Sequence, residues 1–150
     1  MLQRIQTIYL LVAAAALGLQ FLLPYATVPA GTLYDASAAF ADGVFDLRDR
    51  LEMLIISGIA LVLVVSAIFS FKNRPFQSRL TSFGMFAAAI LAVSLTMQCY
   101  SLVQEMGASM PNIHYQAGVA MPALSAFMLW LANRAIRKDE ALVRSSDRLR

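Results

Sequence analysis

Between Leu80 and Gln104 the chain runs for 25 residues without a formal charge, closed by Arg79 on one side and Glu105 on the other. No soluble domain of this size needs such a run. As a helix rising about 1.5 Å per residue it spans roughly 37 Å, enough to cross a hydrocarbon core of roughly 30 Å with some tilt. Three further apolar runs, Ile5 to Leu23, Met53 to Phe71 and Tyr115 to Asn133, are each 19 residues long and uncharged. Composition agrees: 59% of the residues are hydrophobic and 14% charged, where soluble domains carry about 25% charge. The expectation is an all-α membrane protein, a four-transmembrane-helix antiparallel bundle. Its single domain, 1–150, has helices at about 5–23, 47–71, 80–104 and 115–138 and a charged cytoplasmic tail at 134–150.

The first run also raises a signal peptide as a competing reading. Signal cores are about 7 to 15 residues long and end in a small-x-small cleavage site; this run is longer, and Pro24-Tyr25-Ala26 is a poor site. Retention as a membrane helix is therefore expected, ending near Pro24 because proline cannot continue a helix.

Segment 24–50 is punctuated by Pro29, Gly31, Asp35, Asp42, Gly43, Asp46 and Asp49. Asp42-Gly43 is a two-residue hairpin signal that would set Ala41 opposite Val44 and Phe40 opposite Phe45. Pro29-Ala30-Gly31 suggests a looser reversal between Tyr25 to Val28 and Thr32 to Tyr34. The expectation is a short extracytoplasmic β-hairpin, with an irregular loop as the alternative. Asp46 is placed to cap the second helix, with Asp49 and Glu52 at the positive end of its dipole. Lys72, Asn73, Arg74, Pro75 and Arg79 read as a tight basic loop to the third helix. Gly107, Pro111 and Asn112 read as a turn before the fourth, in which Pro122 can introduce a kink.

Charge sets the expected topology. With the first helix leaving the cytoplasm, 10 of the 12 basic residues lie inside and only Arg48 and Arg50 outside. The inner segments then carry +7 and the outer ones −4, giving the net +3 of the chain. Lys and Arg near short loops decide orientation, so both termini are expected in the cytoplasm and the protein in a bacterial cytoplasmic (inner) membrane. The basic balance is assigned to orientation and to anionic lipid headgroups, not to nucleic acid.

Lipid gives helices no hydrophobic reason to associate, so small residues mark expected contact faces. The packing candidates are Ala14 and Gly18 in the first run; Gly58, with Ser66 and Ser70, in the second; Gly84, Ala88, Ala92 and Thr96 in the third; and Gly118, with Ala126, flanking Pro122. Residues expected to meet a cytoplasmic partner or lipid are Lys72, Arg74, Arg79, Arg137, Lys138, Arg144 and Arg148.

No ionisable side chain falls at mid-membrane, which argues against a proton relay or an ion-coupled transporter built from one chain. His114 is the sole histidine and Cys99 the sole cysteine, so neither a bis-histidine haem nor a thiolate metal cluster can be assembled. Cys99, Gln98, Thr96 and Ser94 make a polar patch for which interhelical hydrogen bonding is the simpler account. Asp46, Asp49 and Glu52 are more economically helix-capping than acid-base residues, and no phosphate-binding loop, nucleophile elbow or HExxH motif occurs. Catalytic residues, metal and cofactor are all expected to be none.

The opening Met1-Leu2-Gln3-Arg4-Ile5-Gln6-Thr7-Ile8-Tyr9-Leu10-Leu11 and the closing Ile136-Arg137-Lys138-Asp139-Glu140-Ala141-Leu142-Val143-Arg144-Ser145-Ser146-Asp147-Arg148-Leu149-Arg150 resemble a family of small four-helix membrane proteins of Bacteroidota, the domain of unknown function family 4293. The resemblance covers the whole length. It implies the same four-helix plan in a cytoplasmic membrane, with no activity and no catalytic residues to carry over. From these features the expected function is a non-enzymatic accessory or scaffolding subunit, with the lipid bilayer and a protein partner or a second copy as company. The alternative is a small carrier or a lipid- or quinone-binding protein with an apolar cleft beside Gln98 and Pro122. An enzyme acting on lipid is third, for want of a catalytic constellation.

Overall fold

The computed structural model describes residues 2–27, 43–106 and 113–147. The chain is mostly helical. In order come α1 (Leu2–Leu19), β1 (Ala26–Thr27), β2 (Val44–Phe45), a 3-10 turn (Leu47–Asp49), α2 (Leu51–Phe69), α3 (Arg74–Met106), β3 (His114–Tyr115), a second 3-10 turn (Ala117–Ala120) and α4 (Met121–Asp147). Among the described residues, three stretches are long and apolar enough to cross a membrane: Leu51–Phe69, Arg74–Ser101 and Ala117–Val143. The apolar part of α1, Ile5–Leu19, is shorter.

Four of the helix ends depart from their expected positions for a local reason. The first helix, expected to reach 23, stops at Leu19. Tighter bonds then close its last turn, from the Phe21 amide to the Gly18 carbonyl at 3.2 Å and from the Leu22 amide to the Leu19 carbonyl at 2.9 Å. Pro24 disfavours the helical region for its predecessor and has no N–H to continue the helix. The second helix, expected from 47, begins at Leu51, because Asp46 caps the preceding 3-10 turn instead. Its carboxylate accepts from the Arg48 amide at 2.6 Å, and Asp49 returns the favour by accepting from the Asp46 amide at 2.7 Å.

The third helix, expected from 80, begins at Arg74 and is 33 residues long, about 50 Å. Charge ends a membrane span but not a helix. Asn73 caps it through a bond from the Phe76 amide at 3.3 Å, and Pro75 sits in the first turn, where a missing N–H is harmless. The basic segment from Lys72 to Arg79 is therefore largely helix and not a loop. Pro122 is the second residue of α4, at the junction with the preceding 3-10 turn, where the helical bonding changes register.

The fourth helix was expected from 115, but His114–Tyr115 is a strand. A small antiparallel sheet forms in the order β2-β1-β3, with Ala26 paired to Phe45 and Tyr115, and Thr27 to Val44 and His114. Bonds from the Tyr25 amide to the Phe45 carbonyl at 2.8 Å and from the Gln116 amide to the Tyr25 carbonyl at 2.9 Å extend it. A strand pair thus does join the chain between α1 and α2, entered by Gly43 at φ 76°, a conformation that favours glycine. The expected partners Phe40 and Ala41, and the reversal at Pro29 to Gly31, lie outside the described residues.

Burial on the helices follows alternating steps of three and four. The seam reads Gln6, Leu10, Ala13, Leu17 and Gln20 on α1 and its last turn, and Met53, Ser57, Ala60, Val64 and Ala67 on α2. On α3 it reads Gln77, Thr81, Gly84, Ala88, Leu91 and Leu95, and on α4 Pro122, Ser125, Leu129, Ala132 and Ile136. A mean step of 3.5 residues is the pattern of helices packed at shallow angles with interlocking side chains. Alanine dominates the cluster Ala13, Ala60, Ala67, Ala88 and Ala132, around Leu10, Leu17, Val64 and Leu129. A second cluster, Tyr25, Phe45, Leu47, Met53, Leu91 and Leu95, lies under the sheet. The opposite faces carry exposed large apolar side chains such as Ile8, Val62, Phe69, Phe83 and Met97.

Candidate functional site

Buried polar side chains link the helices pairwise. Gln6 donates from Nε2 to the Ala135 carbonyl at 3.2 Å, joining α1 to α4. Just past α1, Gln20 donates to the Ser57 hydroxyl of α2 at 2.5 Å and accepts from the Tyr25 hydroxyl at 3.4 Å. Between α2 and α3, Gln77 donates to the Ala67 carbonyl at 3.0 Å. Across α3 and α4, Ser78 donates to Asn133 Oδ1 and Asn133 donates to Ser82 Oγ, each at 2.9 Å. Every neighbouring pair around the ring α1-α2-α3-α4 thus shares a side-chain bond. In surroundings without water each bond also prevents the penalty of an unmade one. Among the described residues the buried Ser125 hydroxyl has no partner.

The expected packing residues separate on geometry. A Cβ on Gly118 would fall on the Pro24 carbonyl oxygen and 2.9 Å from that of Leu23, and one on Gly84 would stand 3.1 Å from Val64 Cγ2. At Gly18 and Gly58 a Cβ would meet nothing within 4 Å. Along α3, Gly84 and Ala88 are buried, Ala92 half-buried and Thr96 exposed. Four-residue steps turn about 40° per step on a helix of 3.6 residues per turn, so a stripe of that spacing leaves the seam within three repeats. On α1, Ala14 is half-buried beside the seam. Thr96 turns its hydroxyl back to the Ala92 carbonyl of its own helix at 2.9 Å, so it does not bond across helices.

At the sheet end, Leu95, Thr96, Cys99, Tyr100, Tyr115 and Val119 line an apolar cleft of about 420 Å³. It borders the polar patch noted in sequence but includes neither Gln98 nor Pro122. Beneath the sheet, the Tyr25 phenol is pushed well above its ordinary value, chiefly by burial and secondarily by the charge of Asp46. His114 is exposed in β3. Among the described residues no group of three or more His, Cys, Asp and Glu is placed to hold a metal ion.

The opposite end is basic. Arg74 pairs with Asp139 at 3.1 Å, tying the start of α3 to the last part of α4. On one side of this pair lies a cleft of about 460 Å³ lined by Pro75, Ser78, Arg79, Arg137, Glu140 and Ala141. On the other is one of about 440 Å³ whose walls include Lys72, Asn73, Arg74 and Val143. Arg79, Arg137 and Lys138 are exposed. Arg144 lies in α4 and Arg148 falls outside the described residues. One turn toward the apolar part of α4, the Arg134 guanidinium sits 5.8 Å from the centroid of the Trp130 ring, which stacks on Phe127 at 6.0 Å.

Sequence reasoning found the basic residues but not their arrangement, because it assigned Lys72 to Arg79 to a loop. It also passed over Gln77, which lies on the seam, and Ser78, Ser82 and Asn133, each one position beside it. A family model described as a domain of unknown function, DUF4293, matches residues 2–149. No curated protein and no solved structure matches.

Proposed function

The chain belongs to the domain of unknown function family 4293, and from that starting point we propose that it is a non-enzymatic, multi-pass accessory or scaffolding subunit of a bacterial cytoplasmic membrane. In this reading all four helices cross the bilayer as an antiparallel bundle. The first span is completed by the turn from Gln20 to Leu23, and both chain ends lie in the cytoplasm. The carrying observation is the basic end. Arg79, Arg137 and Lys138 are presented there on helices held together by the Arg74–Asp139 pair, while the buried Gln6, Gln20, Gln77 and Asn133 are engaged between helices. The charge asymmetry along the chain supports the orientation.

Purification from membranes in mild detergent tests the reading. It expects one protein to be recovered reproducibly with the wild type and to be lost on reversing Arg137 and Lys138 to glutamate. A clean monomer in both cases contradicts it. The apolar cleft beside Cys99 and Tyr100 favours a second reading, a small carrier or a lipid- or quinone-binding protein. Native mass spectrometry with no retained lipid or quinone, together with no flux in proteoliposomes, would remove that one.

A further inference from the structure

We propose that the cleft between the first two turns of α3 and the late part of α4 binds the phosphodiester of an anionic phospholipid through Arg79 and Arg137. The inference rests on the reading that α3 and α4 cross a bilayer, and it adds to it a defined lipid site. Three observations converge on this cleft.

The first is depth. Tryptophan in membrane proteins settles at the interface between hydrocarbon and headgroups. Trp130 is half-exposed and carries the Arg134 guanidinium against its ring. Arg137 lies seven residues further along α4, about 10 Å toward the charged end. Arg79 lines the same cleft from α3, with its backbone about 7 Å nearer the apolar side, because its neighbour Ser78 bonds to Asn133, four residues before Arg137. Both arginines thus line a cleft on the charged side of Trp130, within about 10 Å of its level, the zone in which headgroups lie.

The second is charge. Among the described residues the lining contains Arg79, Arg137 and Glu140 as its charged members, a net +1 that matches the single negative charge of a phosphodiester. Guanidinium groups offer forked N–H donors suited to phosphate oxygens. A lining of net positive charge disfavours the added cation of a zwitterionic headgroup and so favours a headgroup of net negative charge.

The third is rigidity. The cleft walls are fixed by the Arg74–Asp139 pair and by the hydrogen bonds of Asn133 to Ser78 and Ser82. The long side chains of Arg79 and Arg137 therefore reach into a space whose backbone is already set, which lowers the entropy lost on binding.

Native mass spectrometry of the full chain in phosphatidylcholine nanodiscs, titrated with phosphatidylglycerol, tests the assignment. The wild type is expected to retain one phosphatidylglycerol in preference to phosphatidylcholine. The double variant Arg79→Gln/Arg137→Gln is expected to bind it at least about tenfold more weakly. Arg134→Gln/Lys138→Gln removes the same charge outside the lining and is expected to stay within about twofold of wild type. Equal losses in the two double variants would mean a diffuse surface field and overturn the proposal. So would a wild type that does not discriminate between the two lipids, a result that needs no variant to fold. Displacement of the lipid by millimolar inorganic phosphate would assign the cleft to the free anion and also overturn it. Accessibility labelling on the same preparation reports separately whether α3 and α4 span the bilayer, so the two failures are distinguishable.

Discussion

Replacing Gly118 with alanine puts a methyl group onto the Pro24 carbonyl oxygen and within 2.9 Å of the Leu23 oxygen. Both are backbone atoms, and neither can swing aside as a side-chain tip would. Pro24 is held between the closed last turn of α1 and Tyr25, whose amide and carbonyl are engaged by Phe45 and Gln116. Relief therefore requires β1, or the start of α4, to shift as a unit. Overpacking of ordinary cores costs about 1–3 kcal/mol, and a clash with pinned backbone on both sides belongs at or above the upper end, about 3 kcal/mol. Gly18→Ala and Gly58→Ala provide the contrast, since a Cβ at either meets nothing within 4 Å. Both lie in helices, where alanine is favoured over glycine by about 1 kcal/mol. The half-buried Cys99, the sole cysteine, supplies the assay: its modification by a maleimide dye during heating or titration with sodium dodecyl sulfate reports unfolding. The order expected is Gly118→Ala least stable, wild type intermediate, and Gly18→Ala and Gly58→Ala equal to wild type or slightly above. Gly118→Ala unfolding at the wild-type midpoint, or all three variants losing stability alike, would refute the reasoning.

Other perturbations probe separate parts of the fold. Ser125→Ala removes a buried hydroxyl without a partner among the described residues and should leave the stability unchanged or raise it by up to about 1 kcal/mol; a loss of that size would mean the hydroxyl is engaged. Asn133→Leu removes both bonds across α3 and α4 and should cost about 1–2 kcal/mol on a membrane scale, whereas Asn133→Asp should cost more by burying a charge. A double-mutant cycle of Arg74→Gln and Asp139→Asn should give a coupling of about 1 kcal/mol that shrinks in high salt, as for a partly exposed pair; no coupling at low salt would contradict the contact. Because burial raises the Tyr25 phenol, the folded state holds its proton where the unfolded chain has lost it. Stability should therefore be unaffected below about pH 10 and fall above it. Tyr25→Phe should flatten that alkaline decline, and an unaltered slope would count against it.

Much of the helical plan was legible because hydrocarbon imposes long uncharged runs, and Leu80 to Gln104 can hardly be read otherwise. The helix ends were not, because membrane compatibility and helix propensity are different quantities. Arg74 to Arg79 is poor membrane material and sound helix, and Asn73 starts α3 six residues before the charge stops. The third strand was invisible for another reason. His114 and Tyr115 are too short a stretch to carry a strand signal, and only Ala26 and Thr27, distant in sequence, offer the backbone partners that make them one. Of the small residues singled out by spacing, Gly84, Ala88 and Gly118 are buried, while Ala92 is half-buried and Thr96 exposed, because a four-residue step drifts from the face that alternating steps of three and four trace. The paired placement of Arg79 and Arg137 is tertiary, since 58 positions separate them in the chain.

The most direct test of the account is the sidedness of single cysteines in a Cys99→Ala background, read in intact and in permeabilised cells with a membrane-impermeant maleimide. Positions Gln3, Asn73 and Ala141 belong to the basic end, and Arg48 and Gln116 to the sheet end. The bundle predicts that Arg48→Cys and Gln116→Cys react in intact cells, while Gln3→Cys, Asn73→Cys and Ala141→Cys react only after permeabilisation. Labelling of Gln3→Cys from outside would take α1 out of the set of spans, and equal labelling of Asn73→Cys and Gln116→Cys in intact cells would contradict a membrane-crossing bundle altogether.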